Sequence, residues 1–332
     1  IDNLTDEQKA ACEEINAAID ANRQESFLLK GVTGSGKTEV YMQAAARAIS
    51  KGKTVIMLLP EIALTKQITE RFIGRFGKGS CAILHSHLTG RERFDEWSRI
   101  RSGEAKIVIG ARMAVFAPLD NIGLIILDEE HESTYKSDMT PKYETVDIAF
   151  KRLMHYSGVL LLGSATPSVV SYQRAKEGIY KLIEMNTRYN AVELPKMSIV
   201  DMRQELRKGN RSIFSDKLYQ SMEEHLESGE QVILFLNRRG YSSSISCKDC
   251  GNTLMCPDCG ISLTYHKKEN AAVCHYCGRH FDIPKECPEC SSKFIKFIGV
   301  GTEQVEEFVK KEFKDYETER FDLDTAKNSR EV

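Results

Sequence analysis

Eight cysteines fall in four Cys-x-x-Cys pairs within 44 residues: Cys247/Cys250, Cys256/Cys259, Cys274/Cys277 and Cys287/Cys290. A thiolate pair at this spacing offers two tetrahedral ligands from one turn, so four pairs make two sites for Zn2+. The inner pairs are separated by 14 residues, close to the span of a zinc-ribbon hairpin. That leaves Cys247/Cys250 to join Cys287/Cys290 in an enclosing site. Sequential pairing would have to close the short gap between Cys250 and Cys256, so the spacing favours the nested scheme. Iron–sulfur ligation is the competing chemistry, and the Gly, Pro and Asp around the pairs favour zinc. With thiolates filling both sites, His266, His275 and His280 are expected behind the ligands or exposed rather than on the metals. Lys248, Tyr265, Lys267, Lys268, Tyr276, Arg279 and Lys285 would give the module a basic, aromatic surface for DNA or protein. A structural staple with no partner is the plainer alternative.

A second chemistry lies far upstream. Gly31, Val32, Thr33, Gly34, Ser35, Gly36, Lys37 and Thr38 match G-x-x-x-x-G-K-[ST], after an apolar run and before a helical one. Amides of such a loop close around the phosphates of ATP; Lys37 reaches the outer phosphates and Thr38 ligates Mg2+. The run Leu124–Leu127 delivers Asp128, Glu129, Glu130 and His131 to a strand end. Asp128 is the second candidate ligand for Mg2+, and Glu129 the group that activates water. His131 either couples this site to the next motif or is a surface histidine. Gly163-Ser164-Ala165-Thr166-Pro167 follows another apolar run, where small hydroxyls suit a mobile phosphate site or simply cap a helix. Gln8 can pair with donor and acceptor on adenine, or be a solvated helix residue.

The elements that must carry these residues alternate. Predicted strands are Ser26–Lys30, Thr54–Leu59, Cys81–Leu84, Lys106–Ile109, Leu124–Leu127 and Val159–Leu162. Their nearly continuous Val, Ile and Leu is the pattern of parallel strands covered on both faces. Between them stand helices Thr5–Ala21, Lys37–Ser50, Ile62–Phe76, Arg91–Ser102 and Thr145–His155, which gives a doubly wound α/β lobe. After a connection over Thr187–Pro195, a second α/β pattern reads Ser198–Asp201 (strand), Asp216–Ser228 (helix) and Gln231–Leu236 (strand). It resumes after the cysteines with Phe294–Gly299 (strand), a helix from Thr302 and Glu319–Asp324 (strand). The expected organisation is a first lobe over 1–190, the start of a second over 191–245, the two-zinc module over 246–292, and the second lobe resumed over 293–332 and truncated.

The 332 residues are 41% hydrophobic and 28% charged, with a net charge of −2, so any nucleic-acid surface must be a local basic stripe. No apolar run approaches the ~20 residues of a membrane span, and the start lacks a signal peptide's pattern. It also lacks Met, which points to residues upstream. Cys12 and Cys81, outside the pairs, are expected to be buried bystanders.

Together, GVTGSGKTEVY (31–41), PEIALT (60–65), LHSHLTGRERFDEW (84–97), IVIGARMAVFAP (107–118), LDEEHESTYK (127–136), GSATPS (163–168), ILFLNRRGYS (233–242), the cysteine module and GVGTEQVEE (299–307) resemble the bacterial primosomal replication-restart DNA helicases of superfamily 2. The resemblance covers nearly the whole chain in family order. It implies two RecA-like lobes with parallel sheets, the second truncated, and a zinc-ribbon-like insertion with the same nested pairing. It implies ATP-driven 3′-to-5′ movement on forked and single-stranded DNA at abandoned or stalled forks, and reloading of the replicative helicase. Primosome proteins and single-stranded DNA-binding protein are the implied partners, and the implied setting is a monomer in the bacterial cytoplasm at the nucleoid. Tyr135, Lys136 and Tyr143 fall in an aromatic-rich loop that would stack on DNA and report to Glu129. Arg238 and Arg239 would touch phosphate or pair structurally. Against the family pattern, Ala111, Met113 and Val146 replace expected Thr, Ser and Arg. The family's N-terminal DNA-binding region and later helicase motifs are not in this sequence. Without their arginine finger, worth about 10³–10⁵ in rate, the chain should bind ATP and hydrolyse it poorly. A duplex translocase, or a zinc-centred scaffold with ATP as conformational switch, are the alternative functions.

Overall fold

In the computed structural model, the upstream Val/Ile/Leu runs form one parallel sheet between two layers of helices. The structure describes residues 4–60, 66–86, 88–189, 195–236, 243–266, 271–274, 276–298 and 302–320. The chain divides into two compact units, Ile1–Pro195 and Lys196–Val332.

The first unit runs α1 (Asp6–Asp20), β1 (Glu25–Gly31), α2 (Lys37–Ser50), β2 (Thr54–Leu58), α3 (Lys66–Phe76), β3 (Cys81–Leu84), α4 (Gly90–Arg101), β4 (Ile107–Gly110), β5 (Ile122–Asp128), α5 (Thr145–Tyr156), β6 (Val159–Ser164), α6 (Val169–Lys176) and β7 (Lys181–Met185). The strands pair in the order β3-β4-β2-β5-β6-β1-β7, all parallel. Successive residues point to opposite faces. Phe27, Leu29, Val55, Met57, Leu124 and Ile126 therefore pack with Ile15 of α1, Ala44 of α2 and Phe72 of α3. Leu28, Ile56, Leu58, Ile125 and Leu127 pack with Ile100 of α4 and Leu153 of α5. The six predicted strands and five predicted helices of this unit are present, with residues 61–65 of the third helix outside the described residues. β7 was not foreseen: at the sheet edge its residues alternate between exposed and buried, so no apolar run announces it. Cys12 and Cys81 are buried, and burial pushes both thiols up to about 11, which leaves them neutral.

The second unit contains α7 (Met202–Arg207), α8 (Asp216–Glu227), β8 (Ser243–Cys247), β9 (Thr264–His266), β10 (Ala271–Val273), β11 (His280–Phe281), β12 (Ile295–Ile298) and α9 (Thr302–Glu312). Here the expectations for the strands change. Ser198–Asp201 and Gln231–Leu236 are not strands, because no neighbouring strand among the described residues pairs with them. Val232, Leu234 and Leu236 do bury one face beside Phe214, Met222, Val305 and Phe313, whereas Ile233 and Phe235 are 90% and 86% exposed. The segment expected to resume a parallel lobe, Phe294–Gly299, instead yields β12, antiparallel to β8 in the five-stranded sheet β11-β10-β9-β8-β12 of the cysteine module. Glu319 and Arg320 are not in a strand, and 321–332 lie outside the described residues.

Candidate functional site

The register of three adjacent strands assembles the site. β1, β6 and β5 lie side by side and end together, with Lys30 opposite Ser164 and Gly163 opposite Asp128. Ligands of open α/β sheets collect at these carboxyl ends. Residues 31–36 leave β1 there and feed α2, whose first residue is Lys37. Gly36, at φ 84°, ends the loop in a left-handed turn; the Glu39 amide donates to its carbonyl at 2.9 Å, and no side chain caps the Lys37 and Thr38 amides at the helix start. Lys37 is buried and its Nζ donates to the Gly31 carbonyl at 2.9 Å. Ser35 Oγ is buried with no partner. An uncapped helix start, a buried amine and an orphan hydroxyl are the groups that a polyphosphate would satisfy. Gly36 and Lys37 border a cavity of roughly 890 Å3, lined also by Gln8, Thr33, Gly34, Thr38, Met42, Arg71, Arg75, Asp128, Glu129 and Tyr189, whereas Ser35 is not in its lining. Val32 and Gly31 are not in that lining; the Val32 amide is tied to the Met185 carbonyl of β7 at 3.0 Å.

Gln8 is neither solvated nor free. Its side chain is 2% exposed. Oε1 accepts from the Thr5 amide at 2.9 Å in a capping box, and Nε2 donates to the Ser35 carbonyl at 3.0 Å. The amide offered to adenine thus already supports the phosphate loop from beneath, and a Cβ at Gly36 would lie 2.2 Å from Nε2.

Asp128 is buried and accepts at Oδ1 from the Tyr41 hydroxyl at 2.8 Å. Burial raises its pKa, against the pull of Tyr41 and Lys37. Glu129 adopts φ 46°, a left-handed conformation rare for a non-glycine residue. Its pKa is raised too, by burial first and then by the charge of Asp128. Asp128 and Thr38 supply the hard oxygen donors that Mg2+ prefers, in the same cavity as Lys37. His131 Nδ1 stands 2.8 Å from Ser164 Oγ and 3.6 Å from Glu129 Oε2. That places the histidine between the two motifs. Glu130, for which no role is expected from the motif, is buried; its carboxylate accepts from the Ser168 amide (2.7 Å), Ser168 Oγ (3.2 Å) and Ser171 Oγ (2.8 Å) at the start of α6.

The aromatic-rich loop divides in two. The Tyr135 ring is 3% exposed, and its hydroxyl lies 2.7 Å from the Asp128 carbonyl and 3.0 Å from that of Leu58. It is packed under the strand ends, where no base can stack on it, which corrects that expectation for Tyr135. Lys136 and Tyr143 remain at the surface. Lys136 pairs with Glu144 at 3.0 Å. The Tyr143 hydroxyl meets Met113 Sδ at 3.2 Å, its ring meets Phe116 edge-on at 5.1 Å, and the Arg112 guanidinium lies 5.8 Å from the ring centre. Of the family departures, Met113 is exposed in this cluster, Ala111 is buried, and Val146 packs against the core.

In the second unit the cysteines gather in two tetrads, Cys247/Cys250/Cys287/Cys290 and Cys256/Cys259/Cys274/Cys277, which is the nested scheme. Sγ atoms lie 3.6 Å apart for Cys247–Cys290 and for Cys250–Cys287, and 3.8 Å apart for Cys256–Cys277. Zn–S bonds of ~2.3 Å put tetrahedral sulfurs about 3.8 Å apart, so both tetrads fit zinc. All four pairs use one turn: the first cysteine's carbonyl accepts from the amide of Gly251, Gly260, Gly278 or Ser291 at 2.8–3.0 Å. That residue is left-handed each time, and Ser291 (φ 58°) does it without glycine's freedom. Arg279 pairs with Asp258 at 2.8 Å, and Tyr276 is exposed. His275, Lys267, Lys268, Arg238 and Arg239 lie outside the described residues.

Comparisons with known proteins follow the same division. Residues 5–175 match the DEAD/DEAH box helicase family, and residues 256–280 match the PriA DNA helicase Cys-rich region (CRR) domain. The replication restart protein PriA of Bacillus subtilis (strain 168) is 49% identical over 323 residues, covering 97% of this chain and 40% of that protein. Replication restart protein PriA of Treponema pallidum (strain Nichols) is 42% identical over 325 residues, covering 98% of this chain and 48% of its own length. The chain thus spans less than half the length of these relatives. Among solved structures, RecG bound to a three-way DNA junction aligns with a TM-score of 0.42 at 24% identity, over 68% of this chain and 31% of that one.

Proposed function

Because this chain belongs to the DEAD/DEAH box helicase family, in its PriA branch, we propose that it is the ATP-driven core of a motor that moves 3′-to-5′ on DNA, acts at abandoned or stalled forks and promotes reloading of the replicative helicase. Forked and single-stranded DNA, primosome proteins and single-stranded DNA-binding protein are its partners in this reading, which places it in the bacterial cytoplasm at the nucleoid. Among the described residues no helix is long and apolar enough to cross a membrane.

The observation that carries the ATPase part is the convergence of Lys37, Asp128 and Glu129 on one cavity at the ends of neighbouring strands. The amides at the start of α2 and Lys37 hold the phosphates of the substrate ATP. Thr38 and Asp128 hold Mg2+, which when bound neutralises charge on the phosphate oxygens. Glu129 orients the attacking water and takes its proton. His131 passes the state of this site to Ser164. Lys136 and Tyr143 meet DNA at the surface, and the loop reaches the strand of Asp128 through Tyr135, whose hydroxyl donates to the Asp128 carbonyl at 2.7 Å. The two zinc ions hold the cysteine module in shape.

ATP binding and single-turnover hydrolysis, with and without forked DNA, test this reading. Glu129→Gln should keep nucleotide affinity and lose about 10²–10⁴ in rate. Lys37→Ala should weaken binding itself. Hydrolysis by Glu129→Gln at the unchanged rate would overturn the assignment, and fork restart surviving that change would favour the scaffold.

A further inference from the structure

Tyr41 lies four residues beyond Lys37 on α2 and is fully buried. A buried phenol needs a hydrogen-bond partner, and its partner here is Asp128 Oδ1 at 2.8 Å. Room for that hydroxyl is cleared by Gly163, which stands opposite Asp128 in the β5–β6 ladder. A Cβ at Gly163 would fall 1.7 Å from Tyr41 Oη and 2.7 Å from the ring carbon that bears it. One hydroxyl therefore joins three segments: the helix that opens at the phosphate loop, the strand that ends in Asp128, and the strand that leads to Ser164.

A carboxylate at a strand end can turn about its terminal torsion, and its two oxygens are equivalent until something distinguishes them. We propose that Tyr41 is the positioning residue of the metal carboxylate: by holding Oδ1 it fixes the rotation of Asp128 and leaves Oδ2 to the nucleotide-bound divalent ion. Gly163 is the clearance that makes this possible. Because Tyr41 rides on α2, any displacement of that helix by bound phosphates is transmitted to Asp128 through a single bond. This inference rests on the reading of Asp128 as the ligand for Mg2+. If Tyr41 were only a packed core aromatic, losing its hydroxyl would alter stability and leave metal affinity alone.

The test is a Mn2+ titration of the chain saturated with a non-hydrolysable ATP analogue, with free Mn2+ read by electron paramagnetic resonance. Affinity for a fluorescent ATP analogue without metal is measured in parallel. Groups that orient a metal ligand typically contribute about 10- to 100-fold in metal affinity, so Tyr41→Phe should weaken Mn2+ by about 10-fold. Metal-free nucleotide affinity should not move. Gly163→Ala should weaken Mn2+ in the native background and add less in the Tyr41→Phe background, where the hydroxyl contact is already gone and only the crowding of the ring remains. Asp128→Asn is the control for the underlying reading. Loss of Mn2+ in Asp128→Asn with native affinity in Tyr41→Phe would overturn the role of Tyr41 alone. Native affinity in Asp128→Asn would overturn the ligand assignment and the proposal with it.

Discussion

Gln8 shows how one side chain can carry two readings of its role. Its position just ahead of the first strand made it a candidate for adenine. The structure gives its amide two protein partners, the Thr5 amide and the Ser35 carbonyl. Each such bond contributes about 0.5–1.5 kcal/mol, so Gln8→Ala should weaken nucleotide binding roughly 5- to 150-fold if both are felt at the loop. The loss divides the two roles. Support of the phosphate loop costs ATP and GTP alike, whereas pairing with adenine costs ATP alone. Equilibrium binding of both nucleotides to Gln8→Ala decides, and an unchanged affinity for each would dismiss both roles. Tyr135 makes a parallel case: an aromatic in an exposed-looking loop is buried because its hydroxyl reaches backbone carbonyls at two strand ends.

At the scale of elements, the loop after β5 and helix α6 are fastened to each other. Ser168 caps α6 with its hydroxyl on the Ser171 amide at 3.2 Å. Glu130 then adds a carboxylate to the same helix end, where negative charge is favoured. Glu130→Ala leaves buried hydroxyls and an amide without their acceptor, a change that costs about 1–3 kcal/mol. Thermal unfolding of the first unit should fall by about 2–4 °C for each kcal/mol. Glu130→Gln keeps one acceptor oxygen and should lose less. An unchanged midpoint in Glu130→Ala would mean that the bond adds nothing to the fold. Nothing in the sequence marked Glu130 apart from Glu129 beside it. The left-handed turn at Glu129 separates them, one lining the cavity and the other buried against α6.

At the scale of the molecule, the two units rest on different physics. The first has a continuous core on both faces of seven strands. The cysteine module has a small apolar cluster, Ile245, Leu263 and Ala272 with Cys256 and Cys274, too few groups to hold a fold unaided. Metal held by the two tetrads would therefore carry its folding free energy. Removing zinc with a chelator should abolish amide-exchange protection across β8–β12 and leave β1–β7 protected and able to bind nucleotide. Equal loss in both units would show that zinc holds the motor as well.

Sequence alone determined whatever depends on local pattern. Continuous apolar runs point to strands covered on both sides, a G-x-x-x-x-G-K-T loop after a strand points to a phosphate site, and four Cys-x-x-Cys turns point to thiolate metal sites. The nested pairing was legible as well, because loop length limits which knuckles can meet. Tertiary structure decided what depends on neighbours brought from far along the chain. β7 forms because β1 offers it an edge, and β12 joins β8 rather than a parallel lobe because its antiparallel partner is at hand. The same holds for Tyr41, Glu130 and Tyr135: each is an ordinary residue in sequence, and only the register of β5 against β6 and the packing over their ends bring it to the carboxylate or the helix it serves.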